Sequence, residues 1–358
     1  MRVTYCLFII FLSNSIFWVH ASDIELVNYP NAMEHAPAGI MGDHGHKKGE
    51  WMFSYRHMFM QMHDNRLSGR KITDNAIVRS RPNRFANVIG QPSNLRVIPK
   101  SMTMEMHMFG GMYAPSDFVT VMIMTNYSKK QMDHTTFKGG SGGNRLGEFE
   151  TRTSGIGDLQ ISSILQIYNK NNFNLIMKSG LSLPTGSTNQ KDNILTPQGN
   201  RPKVLLPYSM QNGSGTVDIT QGIVGTKSYS HLGYGASWES TFRTHRNNGY
   251  NLGNRHKLTS WLAIQPINQL SISARFEYLK SERINGINSD IVLPVQTADP
   301  TNSGGDVINI NIGFNTLNSS YLKGCRFGFE VSAPLYQKMN GLQMRNSVSL
   351  ISLVQIAF

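Results

Sequence analysis

The sequence predicts an all-β protein, an antiparallel transmembrane β-barrel of the bacterial outer membrane with about twelve strands. Charged residues make up only 16% of the 358-residue chain, against about 25% in a typical soluble domain. Apolar and polar residues alternate along many runs of about ten residues, the length of a tilted strand that crosses a bilayer. Long and short connections alternate between these runs, which is typical of outer-membrane barrels.

The first 21 residues predict a secretory signal peptide. Arg2 precedes an uncharged stretch with a strongly apolar centre, and Val19-His20-Ala21 forms a small-residue cleavage pattern. An uncleaved anchor is the alternative, but the apolar core is short for a membrane span. The chain therefore divides into a signal peptide (1–21), a periplasmic Met- and His-containing segment (22–49) and the barrel (50–358). We expect export to the outer membrane of a Gram-negative bacterium.

Alternating runs predict the twelve strands in order. Clear examples are 232–242, 270–278 and 308–315, in which one face is apolar and the other carries polar side chains. Ten or fourteen strands also fit, because pattern-based boundaries err by a few residues. The predicted strands span residues 50–62, 97–113, 117–128, 153–168, 172–184, 214–228, 231–244, 255–265, 269–281, 305–316, 322–335 and 342–358.

The last strand and the first long loop indicate partners. The chain ends on Phe358, with Ile356 and Val354 on the same face, which is similar to the terminal signal of outer-membrane barrels. We therefore expect the barrel-assembly machinery as a partner. The loop 63–96 carries seven Lys or Arg and two Asp, a net charge of +5, and would face anionic lipopolysaccharide. No nucleic-acid-binding motif is present.

The polar face of each strand is expected to line the barrel interior. Cations and anions on this face are equal in number, so they can pair across the lumen. Two alternatives follow, a lumen closed by packed ion pairs or a path for a solute. The residues expected inside are Arg56, Glu105, Asp158, Lys178, Asp218, Glu239, Arg243, Lys257, Arg275, Glu277, Arg326 and Glu330.

Methionine and histidine concentrate in the first third of the chain. Fourteen of 19 methionines lie between 33 and 132, and seven of 11 histidines between 35 and 134. Thioether and imidazole suit soft metals such as Cu(I), although methionine is also flexible apolar filler. By parity, Met102, Met104, Met106 and Met108 should face lipid, while Glu105 and His107 point inward. The candidate metal ligands are Met41, His44, His46, Met58, Met60, Met62, His107, Met122 and Met124.

The sequence gives no sign of an enzyme. It contains no HExxH, and no spacing marks a serine and a histidine as a nucleophile and its base. We therefore expect no catalytic residues and no cofactor, with copper as the alternative.

Short segments carry a resemblance to a known family. They are Met41-Gly42-Asp43-His44, Gly49-Glu50-Trp51-Met52, Ser54-Tyr55-Arg56, Met112-Tyr113-Ala114-Pro115-Ser116-Asp117, Ser154-Gly155-Ile156-Gly157-Asp158 and Leu183-Pro184-Thr185-Gly186. With these the chain resembles the Met/His-rich subgroup of an outer-membrane family filed under the meta-pathway of phenol degradation and labelled "transporter". The resemblance implies a β-barrel and passage of small hydrophobic or aromatic compounds, and no ligand-binding residue carries over.

Three functional hypotheses follow from the sequence. The first is an outer-membrane barrel that passes or binds a small solute. The second is a soft-metal protein that collects copper through its Met/His-rich first third. The third is a structural barrel with a closed lumen.

Overall fold

The computed structural model describes residues 32, 35–140, 142–318 and 324–358. Twelve antiparallel strands form a closed barrel, in which the last strand pairs with the first and sets Phe53 opposite Ile356. The predicted fold and strand number are confirmed. The predicted signal peptide lies outside the described residues.

Each strand pairs with its neighbours in the chain. The strands are β1 (Trp51–Leu67), β2 (Val97–Ser116), β3 (Val119–Phe137), β4 (Arg145–Ile156, continuing as Leu159–Lys170), β5 (Phe173–Leu183), β6 (Asp218–Ser228), β7 (Leu232–Arg243), β8 (Arg255–Ile267), β9 (Leu270–Ser281), β10 (Gly305–Asn318), β11 (Cys325–Met339) and β12 (Leu342–Ala357). Both described ends of the barrel, Trp51 and Phe358, lie at the rim with the short turns, where the two backbones exchange hydrogen bonds of 2.9 and 3.0 Å. In outer-membrane barrels this is the periplasmic rim.

Strands β3 and β4 extend further than the sequence predicts. The loop expected over 129–152 is wrong, because pairing continues as far as Phe137 opposite Arg145. In this stretch the outward residues Lys129, Gln131 and Asp133 are exposed and polar. Beyond the apolar band no lipid demands an apolar outer face, so the alternation disappears although the backbone ladder continues.

The long connections fold over the other rim of the barrel. One contains the short helix α1 (Asp74–Ser80), whose N-cap Thr73 accepts a hydrogen bond from the Ala76 amide through its side chain. Two others contribute to a hydrophobic cluster in which Met210, Ile291 and Val295 pack with Met132 of β3. Among the described residues, no helix has the length and apolar character needed to cross a membrane.

The described part of the segment before β1 lies inside the barrel. We call residues 35–49 the N-terminal plug. Arg326 donates a hydrogen bond to the carbonyl of Ala36, Arg56 to that of Ile40 at 2.8 Å, and Lys178 to that of Met41 at 2.8 Å. The sequence predicts a periplasmic segment over 22–49. Its described part instead occupies the periplasmic end of the lumen, because buried cations of the wall bind its backbone carbonyls.

Two glycines let the plug approach the wall closely. A Cβ on Gly39 would lie 2.3 Å from Nη2 of Arg275 and 2.6 Å from Oε1 of Glu330, closer than real contacts allow. Gly42 has φ +57°, in the left-handed region that favours glycine, and its Cα faces Ile164. The path of the plug therefore depends on the absence of side chains at these positions.

Candidate functional site in the barrel interior

A chamber of about 510 Å³ lies in the lumen. Gly39 and Met41 of the plug form part of its boundary, and the rest is lined by inward side chains of the strands. These side chains divide into two walls of different chemistry, one of methionines and one of charged residues.

The methionine wall is formed by three adjacent strands. In the register of β1 with β2, Met58 lies opposite Met106 and Met60 opposite Met104. On β3, Met122 lies opposite Met112 of β2, and Met124 follows on the same face. The chamber is lined on this side by Met58, Met60, Met104, Met106, Met108, Met122 and Met124. Thioethers therefore cover a continuous area of the lumen surface.

The sequence-based orientation of β2 is wrong. Met102, Met104, Met106 and Met108 were expected to face lipid, yet they face the interior. Glu105 pairs with Phe59 and His107 with His57, so both lie on the outer face. The prediction assumed that the more apolar face of a strand contacts lipid. Strand pairing decides otherwise, because residues directly opposite each other point to the same side of a sheet.

The ionic wall lies on strands β5 to β11. Glu239 is bound by both Lys178 and Lys257. Arg275 is bound by Glu330 and, at 2.8 Å, by Glu277. The Glu277 carboxylate also accepts a hydrogen bond of 3.0 Å from the Asn309 amide. Lys257 and Glu239 lie on adjacent strands, whereas the pairs Lys178–Glu239 and Arg275–Glu330 each reach across one intervening strand. The charges therefore form a network along one side of the lumen.

The other expected lumen residues have separate roles. Arg243 pairs with Asp218 near the outer rim. Asp158 lines the chamber and accepts hydrogen bonds from the backbone amides of Gly186 and Ser214, at 3.0 and 2.8 Å. Arg326 is 1% exposed and binds the plug.

Arg255 also lines the chamber and was not predicted. It shares the inward parity of Lys257, so the alternation of β8 contained the signal, but Arg255 lay at the predicted boundary of the strand. Among the described residues it takes part in no ion pair.

The predicted metal ligands do not come together in one place. Met58, Met60, Met122 and Met124 belong to the methionine wall, and Met62 packs against the hydrophobic cluster of the loops. Met41 borders the chamber, His44 and His46 lie in the plug, and His107 lies outside.

On the outer face, His107 lies in a cluster with His57 and Glu105, whose ligand atoms are all within 4.8 Å of one another. The Tyr55 hydroxyl and Nδ1 of His107 are also 2.8 Å apart. His57 is six residues along β1 from Trp51, or about 14 Å above the periplasmic rim for a strand tilted by about 45°.

A second imidazole cluster lies in the plug. The rings of His35 and His46 are each centred 4.9 Å from the ring of His44. Burial, reinforced by the charge of Arg326, holds the pKa of His35 well below its usual value. Burial alone would raise the pKa of Asp43, but His44 and Arg326 lower it well below its usual range. His35 is thus neutral and Asp43 ionised at pH 7.

Comparison with known proteins supports the fold. No family model and no curated protein matches the chain. Among solved structures, it is similar to an outer membrane channel from Pseudomonas putida F1, with a TM-score of 0.59 and 12% identity over 88% of this chain and 98% of that one. It is also similar to the transport unit of the autotransporter AIDA-I from Escherichia coli, with a TM-score of 0.46 and 9% identity over 89% and 92% of the two chains. The P. putida toluene transporter TodX is also similar, with a TM-score of 0.41 and 8% identity over 92% of each chain. At 12% identity the likeness to the first of these structures shows the outer-membrane barrel fold alone, and the family that the sequence resembles stays a prediction.

Proposed function

We propose that this protein is an outer-membrane channel that takes a small amphiphilic organic solute into its lumen. The observation that carries the proposal is the chamber with one thioether wall and one charged wall. Its volume of about 510 Å³ falls within the range of small-molecule sites, about 300–1,000 Å³. A cavity of about 150 Å³ already holds benzene. The chamber also disfavours a barrel whose lumen is entirely filled.

The two walls indicate the chemistry of the solute. Methionine side chains are flexible and polarisable and adapt to apolar or aromatic surfaces. The opposite wall presents donors, and Arg255 lines the chamber without an ion-pair partner among the described residues. A solute with an apolar body and an acidic or hydroxyl group would satisfy both walls, because an unpaired guanidinium favours an anionic acceptor.

A soft metal ion is the second candidate solute. It is favoured by the continuity of the methionine wall, since seven thioethers line the chamber from three adjacent strands. Thioether ligands select Cu(I) over harder ions. Both candidate solutes would contact the same methionines. An organic solute would depend on their apolar surface, whereas a metal ion would depend on their sulfur atoms.

Two triple variants separate the candidates. M58L/M106L/M124L keeps the apolar surface and removes three sulfur atoms, whereas M58Q/M106Q/M124Q makes the same positions polar. For an organic solute we expect uptake by a deletion strain to be retained with leucine and reduced at least fivefold with glutamine. For Cu(I), both variants would lose cell-associated copper.

A matched control is M177L, which changes a methionine that is 41% exposed on the outer face. Heat-modifiable migration on gels checks that every variant has folded. Equal uptake of hydrophobic and aromatic compounds and of copper by wild type and the glutamine variant would refute a role of this wall in passage.

Location and assembly belong to the same proposal. Phe358 is 65% exposed at the periplasmic rim, and its ring packs 5.9 Å from that of Phe53. An accessible terminal aromatic supports recognition of the last strand by the assembly machinery. The basic outer loop supports contact with lipopolysaccharide. Fractionation of cells to the outer membrane tests the location, and deletion of Phe358 tests the assembly signal.

A further inference from the structure

The imidazole cluster of the plug has the composition of a metal site. One ligand atom each of His35, Asp43 and His44 lies within 4.8 Å of the others. Two of the three residues are neighbours, and the plug folds back so that His35 joins them. Imidazole nitrogen and carboxylate oxygen together suit borderline divalent ions such as Zn²⁺.

Two buried nitrogens in this cluster have no hydrogen-bond partner in the part of the chain that the structure describes. Nδ1 of His35 and Nε2 of His46 are inaccessible to solvent, and neither has a partner among the described residues. The side chain of His46 is only 4% exposed. A buried polar atom without a partner is destabilising, so coordination of an ion would relieve this cost.

The surroundings hold the ligands in place. Oδ2 of Asp43 accepts a hydrogen bond of 2.6 Å from the Ala36 amide, and Oδ1 lies 3.1 Å from Nδ1 of His44. The His46 amide donates to Oγ1 of Thr120 on β3 at 3.0 Å. The first contact ties the two ends of the His-bearing loop together, and the second anchors that loop to the barrel wall. Partner contacts of this kind orient metal ligands in known sites.

We propose that His35, Asp43 and His44 bind one divalent transition-metal ion in the plug, with His46 as the fourth ligand. The ion would join the start of the plug to its middle and so lock the plug in its folded-back path. This site is distinct from the methionine wall, and it stands whether or not the channel passes an organic solute.

The positive charge of Arg326 and Arg56 near the plug opposes a cation. Asp43 offsets part of this charge, and Glu330 pairs with Arg275 beside Gly39. We therefore expect moderate affinity, set by the three imidazoles, and a preference for ions that bind nitrogen over Ca²⁺ or Mg²⁺.

Zinc titration of the full-length protein in detergent tests the site. We expect wild type to bind one Zn²⁺ in the plug, and H35Q/H44Q to lose at least tenfold in affinity for it. Glutamine keeps the size and polarity of the side chains. The matched control is H57Q/H107Q, which removes the outer-face cluster of His57, Glu105 and His107 and must leave the plug site intact.

Three outcomes would overturn the proposal. They are no binding by wild type at 100-fold molar excess of Zn²⁺ over protein, unchanged binding by H35Q/H44Q, and loss of the bound ion in H57Q/H107Q alone. Heat-modifiable migration shows whether H35Q/H44Q has folded. A second measurement is protease protection of the plug, which Zn²⁺ should increase in wild type and in H57Q/H107Q but not in H35Q/H44Q.

Discussion

The two inner walls of the barrel line the lumen with side chains of different chemistry. The methionine wall of β1 to β3 lines a water-accessible space with apolar side chains, whereas the ionic wall fills the opposite side with paired charges. The first needs no hydrogen-bond or ion-pair partners. The second requires each charge to meet its counterpart at close range, because an unpaired buried charge is costly.

This difference explains why the plug is anchored mainly by cations of the wall. Its carbonyls at Ala36, Ile40 and Met41 are each bound by an Arg or Lys of the wall. Thioethers are weak acceptors and offer no donors to backbone carbonyls. Lys178 and Arg326 lie on strands of the ionic wall, whereas Arg56 lies on β1. Charged side chains from both sides therefore fix the plug, and the methionines present an apolar surface to the chamber.

The largest loss of stability is expected when one partner of a buried ion pair in the ionic wall is removed. R275L leaves Glu330, which is 1% exposed, without its partner and should lower the free energy of unfolding by about 3–5 kcal/mol. R275L/E330L removes both of these charges but leaves Glu277 with only its hydrogen bond from Asn309, so it should recover part of this loss. Urea unfolding in detergent measures both variants. Equal destabilisation by the single and double variants would contradict the comparison of the walls.

An intermediate effect is expected from displacing the plug. G39V places carbon atoms where Arg275 and Glu330 now lie, so the plug cannot keep its path. We expect higher single-channel conductance in planar bilayers, because the periplasmic end of the lumen opens. G139A, at a loop glycine with nothing within 4 Å of an added Cβ, serves as the control. Identical conductance of G39V and wild type would show that the plug does not limit flow.

The smallest change in stability is expected from a substitution on the outer face of β2, behind the methionine wall. E105L removes a carboxylate from the outer face of β2, where an acidic residue costs less than the about 2–4 kcal/mol that Lys or Arg costs at the bilayer midplane. The free energy of unfolding should change by less than about 2 kcal/mol. E330L, at another glutamate that the sequence placed inside, should be far more destabilising. Comparable losses for both would restore the sequence-based orientation of β2.

The sequence predicted the barrel and its ionic wall for one physical reason. On β7 and β9 the apolar side chains of Trp238 and Phe276 face lipid. Glu239 and Glu277 face water or a counter-ion in the lumen, so polarity alone distinguishes the two faces of these strands. On β2 the same rule failed, because a lumen may also be apolar. The apolar side chain of Met106 can contact either lipid or a solute chamber, so the residue type does not indicate which of the two it faces.

The plug could not be predicted from its own residues. Ala36, Gly39 and Gly42 show no strong pattern, and the contact of Ala36 with Arg326 joins residues 290 positions apart. The meeting of His35 with Asp43 and His44 depends on the same fold. The spacing of His44 and His46 was a visible signal, but the third imidazole was brought there only by the reversal of the chain.

The sequence by itself predicted an outer-membrane barrel of about twelve strands. The alternation of apolar and polar residues indicates which face of each strand contacts lipid, and the strand length matches the thickness of the bilayer. Only the tertiary structure decided that four methionines of β2 turn inward, that the segment before β1 enters the lumen, and that a chamber with two unlike walls remains. These features arise from strand register and long-range hydrogen bonds, which join residues whose local sequences are independent of each other.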